Sequence, residues 1–389
     1  MALPRSPRRL SLGRARSLEA AGLVLATVLA IAFLAWGAHM GRAGEPAVAT
    51  PWPDSAGSLV VWRSASGSLT ARMTTSAGVE SVSSLGAGSR ALLIAGGPRP
   101  LVLLTGPGGG HRLVRYAPAG DTWQTIAASL DPDELTTAAL DRGPVYLPVG
   151  RGSRAAVIAV GLDGRTVARF PLPVLEPDPR ALMALPGAGV GARKASRGHV
   201  AALIVADGDV LAITATTAAA AVTDLQTKAS VSLAGYTQIV AATVGGDGAL
   251  YVLAGHVDPA FSLRFLRIDP HAMRVLSAWD TGVAATEEPG SALPTRFGAV
   301  FYLPGVPRSL DAYSGTNIWL VDGSGFRQNS AVSSNVGVRM GPGRVGSVLF
   351  YGSPAGAAVT SLDTYDGALS PASARLSAPS GTTVVLAAD

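Results

Sequence analysis

His256 and Asp258 stand two residues apart in "GHVDP", close enough in sequence for an imidazole and a carboxylate to reach one metal ion. Zinc generally takes three or four protein ligands, so two in a turn are expected to form a polar loop. The densest acidic group, Asp131, Asp133 and Glu134 in "DPDE", offers the oxygens calcium takes, but no loop with alternate ligand spacing and a glycine follows it. It reads as a solvated turn. "GPGGG" at 106–110 has the glycines of a phosphate cradle, yet strand residues follow where a helix should open. A tight turn is expected there, with His111 beside it as a loop residue.

Other polar groups have equally plain readings. Asp207-Gly208-Asp209 and Asp247-Gly248 are hairpin turns, and Glu287-Glu288 falls in an exposed Pro/Gly-rich stretch. Arg193, Lys194 and Arg197 make a basic loop that is solvated and open to protease, with a capacity for contacts. His39 lies at the boundary of an apolar segment, and His199 and His271 complete the five histidines. No Gly-x-Ser-x-Gly elbow is present, and no Ser/His/Asp set can be assembled from spacing. The chain has no cysteine, which removes disulfides, thiolate zinc sites and cysteine nucleophiles together. On these grounds no residue is assigned a catalytic, cofactor-binding or metal-binding role, and no cofactor is expected.

The elements that would position such groups come next. With 389 residues, 48% hydrophobic, 15% charged, 47 Gly and 27 Pro, the chain can bury a large core connected by many turns. The net charge of +5 does not mark a nucleic-acid surface. Residues 1–19 hold Arg5, Arg8, Arg9, Arg14 and Arg16 against Glu19, which leaves 26 bases against 25 acids for the remainder. Nucleic-acid binding needs a concentrated basic patch, so no such partner is expected. Two lysines beside 29 arginines, with abundant Ala and Gly, point to a GC-rich bacterial gene.

"AAGLVLATVLAIAFLAWGA", residues 20–38, carries no charge. As a helix it is long enough for a bilayer core of about 30 Å. The basic leader before it keeps the N-terminus cytoplasmic by the positive-inside rule and sends the rest across. An uncleaved signal-anchor is expected, since the apolar run exceeds that of a signal peptide. The alternative is cleavage at Ala35-Trp36-Gly37 or Gly41-Arg42-Ala43, and Arg8-Arg9 in "SPRRLSL" resembles a twin-arginine export signal. Both outcomes place the body outside the cytoplasm. Residues 39–57 read as a Pro/Ala/Gly linker, and 58–389 as the folded body.

In "ALYVLA" both alternating faces are apolar, Leu250 and Val252 on one and Tyr251 and Leu253 on the other. Such a strand must be covered on both sides. The strands that follow, Leu263 to Ile268 and Met273 to Trp279, grow more polar, as expected from a buried centre toward a wet rim. Similar apolar runs begin at residues 59, 101, 145, 200, 250, 300 and 348. Most are followed by turn signals and further strands, as in "VIAVGLDGRTVARF", "DGDVLAIT", "NIWLVDGSG" and "TSLDTYDGALS". Seven hairpin-rich units of this period predict an all-β chain forming a single β-propeller of seven blades, preceded by one transmembrane helix. A pair of β-sandwiches is the alternative. Residues 175–198 read as a loop inserted between units, and "TTVVLAA" at 382–388 is expected to complete the first blade and close the ring.

"GGDGALYVLAG" with "LRIDP" is similar to the strands of quinoprotein-like and NHL-like propeller repeats, and residues 101–126, with their glycines, Tyr116 and Trp123, look like a kelch repeat. The resemblance spans about residues 58–389 and implies architecture. Quinoprotein alcohol dehydrogenases carry a cysteine pair at the cofactor, which this chain lacks. Lactonase-like propellers hold calcium in the channel through Glu, Asp and Asn; the three asparagines here, Asn317, Asn329 and Asn335, all lie in one unit.

The reading is a membrane-anchored binding or scaffold module, an accessory subunit of an envelope complex with a protein or envelope component as partner. The alternative is a channel-site enzyme such as a metal-dependent lactonase or hydrolase. Polar side chains converging at the inner-strand ends would support the enzyme; a channel lined by Ala, Val and Gly would count against it.

Overall fold

The structure, a computed structural model, describes residues 57–130, 139–140, 143–150, 152–184, 194–257, 262–284, 290–303, 307–309, 312–313, 317–329, 339–344, 346–351, 359–365 and 368–389. Residues 1–56 lie outside this set, and with them the leader, the 20–38 segment and nearly all of the linker. Among the described residues no helix is long and apolar enough to cross a membrane.

Seven four-stranded antiparallel sheets follow one another along the chain. They are the blades of a β-propeller. Their innermost strands, from blade 1 to blade 7, are Thr383–Ala388, Arg90–Ala95, Ala139–Leu140, His199–Ala206, Tyr236–Val244, Ser291–Thr295 and Arg339–Pro342. Each touches the next in that order, and the seventh touches the first, so the inner strands surround one axis. The C-terminal strand Thr383–Ala388 pairs with Ser58–Arg63 and supplies blade 1 with its innermost strand. The ring is thus closed by its two ends, as expected from "TTVVLAA".

The second strand of each blade carries most of the core. In blade 5, Leu250, Val252 and Ala254 enter a cluster shared with Leu211 and Ile213 of blade 4, while Tyr251 and Leu253 enter another with Phe301 and Trp319 of blade 6. Two apolar faces therefore serve two interfaces. Phe265 in the third strand of the blade meets Phe301 edge-on, with ring centroids 5.0 Å apart. The outermost strand, Arg274–Ala284, is mostly solvated.

Six of the seven apolar runs read from sequence are second strands. The run at 200–205 is instead the innermost strand of blade 4, whose second strand is Asp209–Ala215. It matched the others because both of these blade 4 strands are largely buried.

The turns joining first to second strands explain the glycines of "GGDG". The Gly246 N–H donates to the carbonyls of Thr295 and Gly298 in blade 6, at 2.9 and 3.2 Å. A Cβ on Gly246 would lie 2.3 Å from the Thr295 oxygen, so only glycine fits this approach. Asp247 then accepts the Ala249 N–H at 3.2 Å, the Tyr251 hydroxyl at 2.8 Å and the Arg267 guanidinium at 3.0 Å.

The insertion at 175–198 is more ordered at its base than a free loop. Val174–Leu175 pairs with Ser196–Arg197, and a short helix, Pro179–Ala184, packs Ala181 against Ala218 and Val257. Residues 185–193 lie outside the described set.

Candidate channel mouth

Antiparallel order within every blade fixes which ends of the strands meet. Each innermost strand begins at one end of the axis, where the preceding blade hands over the chain. The second strand of each blade ends there too: Arg63 pairs with Thr383, Arg90 with Thr105, His199 with Ala215, Tyr236 with His256, and Arg339 with Tyr351. This end is called the mouth.

Along the axis the inner strands are largely apolar. Leu92, Leu93, Ile94, Ala201, Ile204, Ile239 and Leu293 are among their half-buried residues, Thr237, Gln238, Ser291, Thr295, Arg339 and Thr383 are the half-buried polar ones, and no Asp or Glu occurs on any of the seven. Polar side chains gather at the starts of the strands instead.

On blade 5 they form a fixed cluster. Tyr236 packs edge-on against His256, with centroids 4.7 Å apart. Gly235 lies beneath them at φ +81°, where a Cβ would come within 2.6 Å of His256 Nε2. The Gly235 N–H donates to Asp178 Oδ2 at 2.5 Å, which ties the insertion to the mouth. Burial raises the Tyr236 phenol above its ordinary range, with Arg264 opposing the shift. Arg264 itself pairs with Asp280 at 3.3 Å. Hydrogen bonding by the Gly282 N–H holds the Asp280 carboxyl below the usual range, aided by Ser262 and Arg264.

On blades 7, 1 and 2 the mouth carries Arg339, Arg63 and Arg90. Among the described residues the side chains of these three make no ion pair or hydrogen bond. Burial pushes the Arg339 guanidinium below the ordinary arginine range; Tyr351 opposes this, while the like charges of Arg90 and Arg63 add to it. Tyr351 is buried, and that burial pushes its phenol up to about 12, so at neutral pH it is a hydroxyl and no counter-charge.

The residues singled out from sequence are scattered rather than joined. His256 is part of the blade 5 cluster, and Asp258 lies outside the described residues. His111 is buried in blade 2, with Nδ1 3.2 Å from the Thr105 hydroxyl, and "GPGGG" is a hairpin turn closed by a Gly106 to Gly110 hydrogen bond of 2.7 Å. His199 is exposed at the mouth. His271 is at the opposite end, its Nε2 3.1 Å from Asp207 and its Nδ1 3.5 Å from Asp209. Asn317 and Asn329 belong to the outer two strands of blade 6. Lys194 is exposed, and Arg197 donates to the Ser153 carbonyl at 2.5 Å. His39, Asp131, Asp133, Glu134, Arg193, Glu287, Glu288 and Asn335 fall outside the described residues.

Among the described residues no three His, Asp or Glu side chains come together in a way that could hold a metal ion. The described residues thus supply no cluster of carboxylates of the kind that holds calcium in lactonase-like propellers. The three arginines were not visible as a group in the sequence. Each borders an apolar run, but only ring closure, which brings residue 63 beside residue 383, makes them neighbours.

No family model matches the chain, and no curated protein matches it. Among solved structures it is similar to a candidate 6-phosphogluconolactonase from Bacteroides uniformis, with TM-score 0.53 and 11% identity over 85% of this chain and 98% of that one. A second candidate 6-phosphogluconolactonase, from Bacteroides fragilis, gives 0.52 and 12% over 86% and 99%. The periplasmic gluconolactonase of Pseudomonas aeruginosa gives 0.49 and 15% over 85% and 99%. At these identities the likeness is one of fold, and no family within the propellers is assigned.

Proposed function

We propose that this chain is a propeller hydrolase that opens a small sugar-derived lactone at the mouth of its channel. The observation that carries the reading is the contrast between apolar inner strands and the polar side chains gathered at their starts. An opening of that kind, with mostly apolar inner strands and few polar groups at their starts, suits a small organic substrate better than a protein surface. The two Bacteroides propellers supply the reaction class by analogy of fold.

Lactone hydrolysis needs a base for the attacking water and donors for the charge that develops on the carbonyl oxygen. His199 is the one imidazole on an inner strand among the described residues, and it opens that strand at the mouth. It takes the proton from water. The guanidinium of Arg90 or Arg339 meets the oxyanion, for which a charged, forked donor is well shaped. No step is routed through a metal, because the described donors do not form a site for one.

From the charge order of residues 1–38 we further propose that the ring works outside the cytoplasm, tethered by the 20–38 segment.

The test is proton release by the detergent-purified full chain against a panel of sugar-acid lactones, with and without a chelator. Turnover that survives chelation, and that falls at least about a hundredfold in His199→Ala without loss of the native melting curve, supports the reading. Absence of turnover on every lactone overturns it, and a stoichiometric protein partner co-purifying from the membrane would restore the scaffold reading.

A further inference from the structure

We propose that Arg197 and Gly198 set where His199 stands at the mouth, and so act as positioning residues for the base of the hydrolase reading, on which their catalytic purpose rests. His199 has no anchor of its own. It is exposed, and its ring makes no hydrogen bond or ion pair among the described residues. The ladder behind it is interrupted as well. His199 pairs with Ala215 and Val200 with Thr214, but the next pair is Ala202 with Ile213, which leaves Ala201 as an extra residue. Such a bulge bends the strand and re-aims the side chains beside it. With only two residue pairs ahead of the bulge, the placement of His199 depends on the residues that lead into it.

Those residues are clamped. Ser196–Arg197 pairs with Val174–Leu175 at the base of the insertion. The Arg197 guanidinium donates to the Ser153 carbonyl at 2.5 Å, in the short helix Gly152–Arg154 that joins the second and third strands of blade 3. The preceding blade thus holds the entry to His199. Gly198 then brings the chain against blade 4 itself. A Cβ there would lie 2.3 Å from the Ala215 oxygen and 2.7 Å from its carbonyl carbon. Backbone atoms do not swing aside, so any side chain at 198 pushes the His199 and Ala215 partners apart.

The insertion also grips the other half of that pair. The Asp178 N–H donates to the Ala218 carbonyl at 2.8 Å, in the turn that follows Ala215. Asp178 Oδ2 accepts the Gly235 N–H, just before the inner strand of blade 5. Ser153, Ala218 and Gly235 belong to the mouth ends of blades 3, 4 and 5. One insertion therefore ties three consecutive blades together around His199.

The chemistry explains why such bracing is worth having. A base that takes a proton from water beside a bound carbonyl works only over a narrow range of placement, and an error of about 1 Å costs on the order of a hundredfold. Side chains around a base usually supply that accuracy. An exposed imidazole without a side-chain partner draws it from its backbone, and here the backbone is fixed from outside the strand.

The experiment reads the His199 ring and lactone turnover in the same detergent-purified full chain. The Cε1–H resonance of His199, identified by its loss in His199→Gln, is followed by NMR. Arg197→Gln is expected to move it while the His256 and His271 resonances hold, and to lower kcat at least about tenfold with KM changed less than about twofold. Arg197→Lys, which still donates to the Ser153 carbonyl, should recover part of both. Arg169→Gln removes a similar bond to the Arg154 carbonyl of the same short helix and should change neither. Gly198→Ala should act more strongly than Arg197→Gln; if it does not fold, Arg197→Gln decides. An unmoved His199 resonance in Arg197→Gln overturns the inference whatever the turnover. So does an unchanged kcat in that variant when His199→Ala has lost turnover, a result that leaves the hydrolase standing. If the native chain opens no lactone, the hydrolase falls, and the resonance alone decides whether Arg197 and Gly198 place His199.

Discussion

Val61 lies opposite Leu386 across a hydrogen-bonded ladder, although 325 residues separate them in sequence. This pairing makes the first and last described strands members of one blade. Without Thr383–Ala388, blade 1 would lose its innermost strand, and the inner strands of blades 7 and 2 would lose the neighbour between them. Val384, Leu386 and Ala388 would also leave the cores they fill.

Truncation before Gly381 is therefore expected to lower the melting temperature by more than about 10 °C, or to prevent soluble folding. Differential scanning calorimetry of the truncated and full chains checks this. An unchanged curve would show that the ring holds without its closing strand.

At the end opposite the arginines, His271 bridges blade 5 to blade 4 through Asp207 and Asp209. The hydrogen bond to Asp207 raises the imidazole above its ordinary value of 6.5, with Asp207, Asp209 and Asp269 adding by charge while burial opposes them. Arg274, paired with Asp269, also faces this cluster. A raised histidine contributes its stability in full below about pH 6.5 and loses it as pH rises through the folded value. The melting-temperature gap between the native chain and His271→Gln should be largest near pH 5.5, no more than about 2 °C for such an exposed pair, and should close by about pH 8.5. A gap independent of pH would mean that packing rather than charge makes the bridge.

Gly246→Ala should destabilise by roughly 2 kcal/mol or more, because the added carbon meets two backbone carbonyls that cannot rotate away. Gly248→Ala, two residues on, meets no neighbour and suffers only from its φ of +76°, so it should cost about 1 kcal/mol. Denaturant titration of both variants separates close approach from backbone strain.

Tyr251→Phe removes the hydroxyl that donates to Asp247 and leaves the ring buried between blades 5 and 6. A loss of about 1–2 kcal/mol is expected. Asp247→Ala should cost more, since Arg267 and the Ala249 N–H lose the same acceptor. If the two variants cost the same, the turn does not depend on the shared carboxylate.

Arg339→Met should raise the melting temperature by about 2 °C, since it removes a partly buried charge whose side chain has no ion pair among the described residues. Thermal shift of the two chains side by side reads the effect. A variant less stable than the native chain would show that Arg339 supports the fold.

Much of the architecture was legible because the burial of each blade is two-sided. "LYVLA" and its counterparts have two apolar faces, and only stacked sheets give both faces a partner. The turn dipeptides mark where those strands reverse. Blade 4 was harder to register, since "VAALIV" is as apolar as a second strand although it edges the axis. The mouth was almost illegible. His256, His111 and His271 attract attention by residue type, yet each is held by local neighbours: Tyr236, Thr105, and Asp207 with Asp209. The arginines look like ordinary strand-end residues until the first and last strands meet. A site assembled by ring closure leaves no local spacing to read.

That closure also has a mechanical side. The described chain enters at Gly57 and ends at Asp389, both at the end of the ring away from the arginines. Ser58–Arg63 runs from there toward the mouth, flanked on one side by Thr383–Ala388 and on the other by Ser68–Thr74. A pull on Gly57 along the strand therefore loads two ladders at once and in shear, where hydrogen bonds must yield together rather than one by one. The seam that joins the ring is, by the same geometry, its strongest handle.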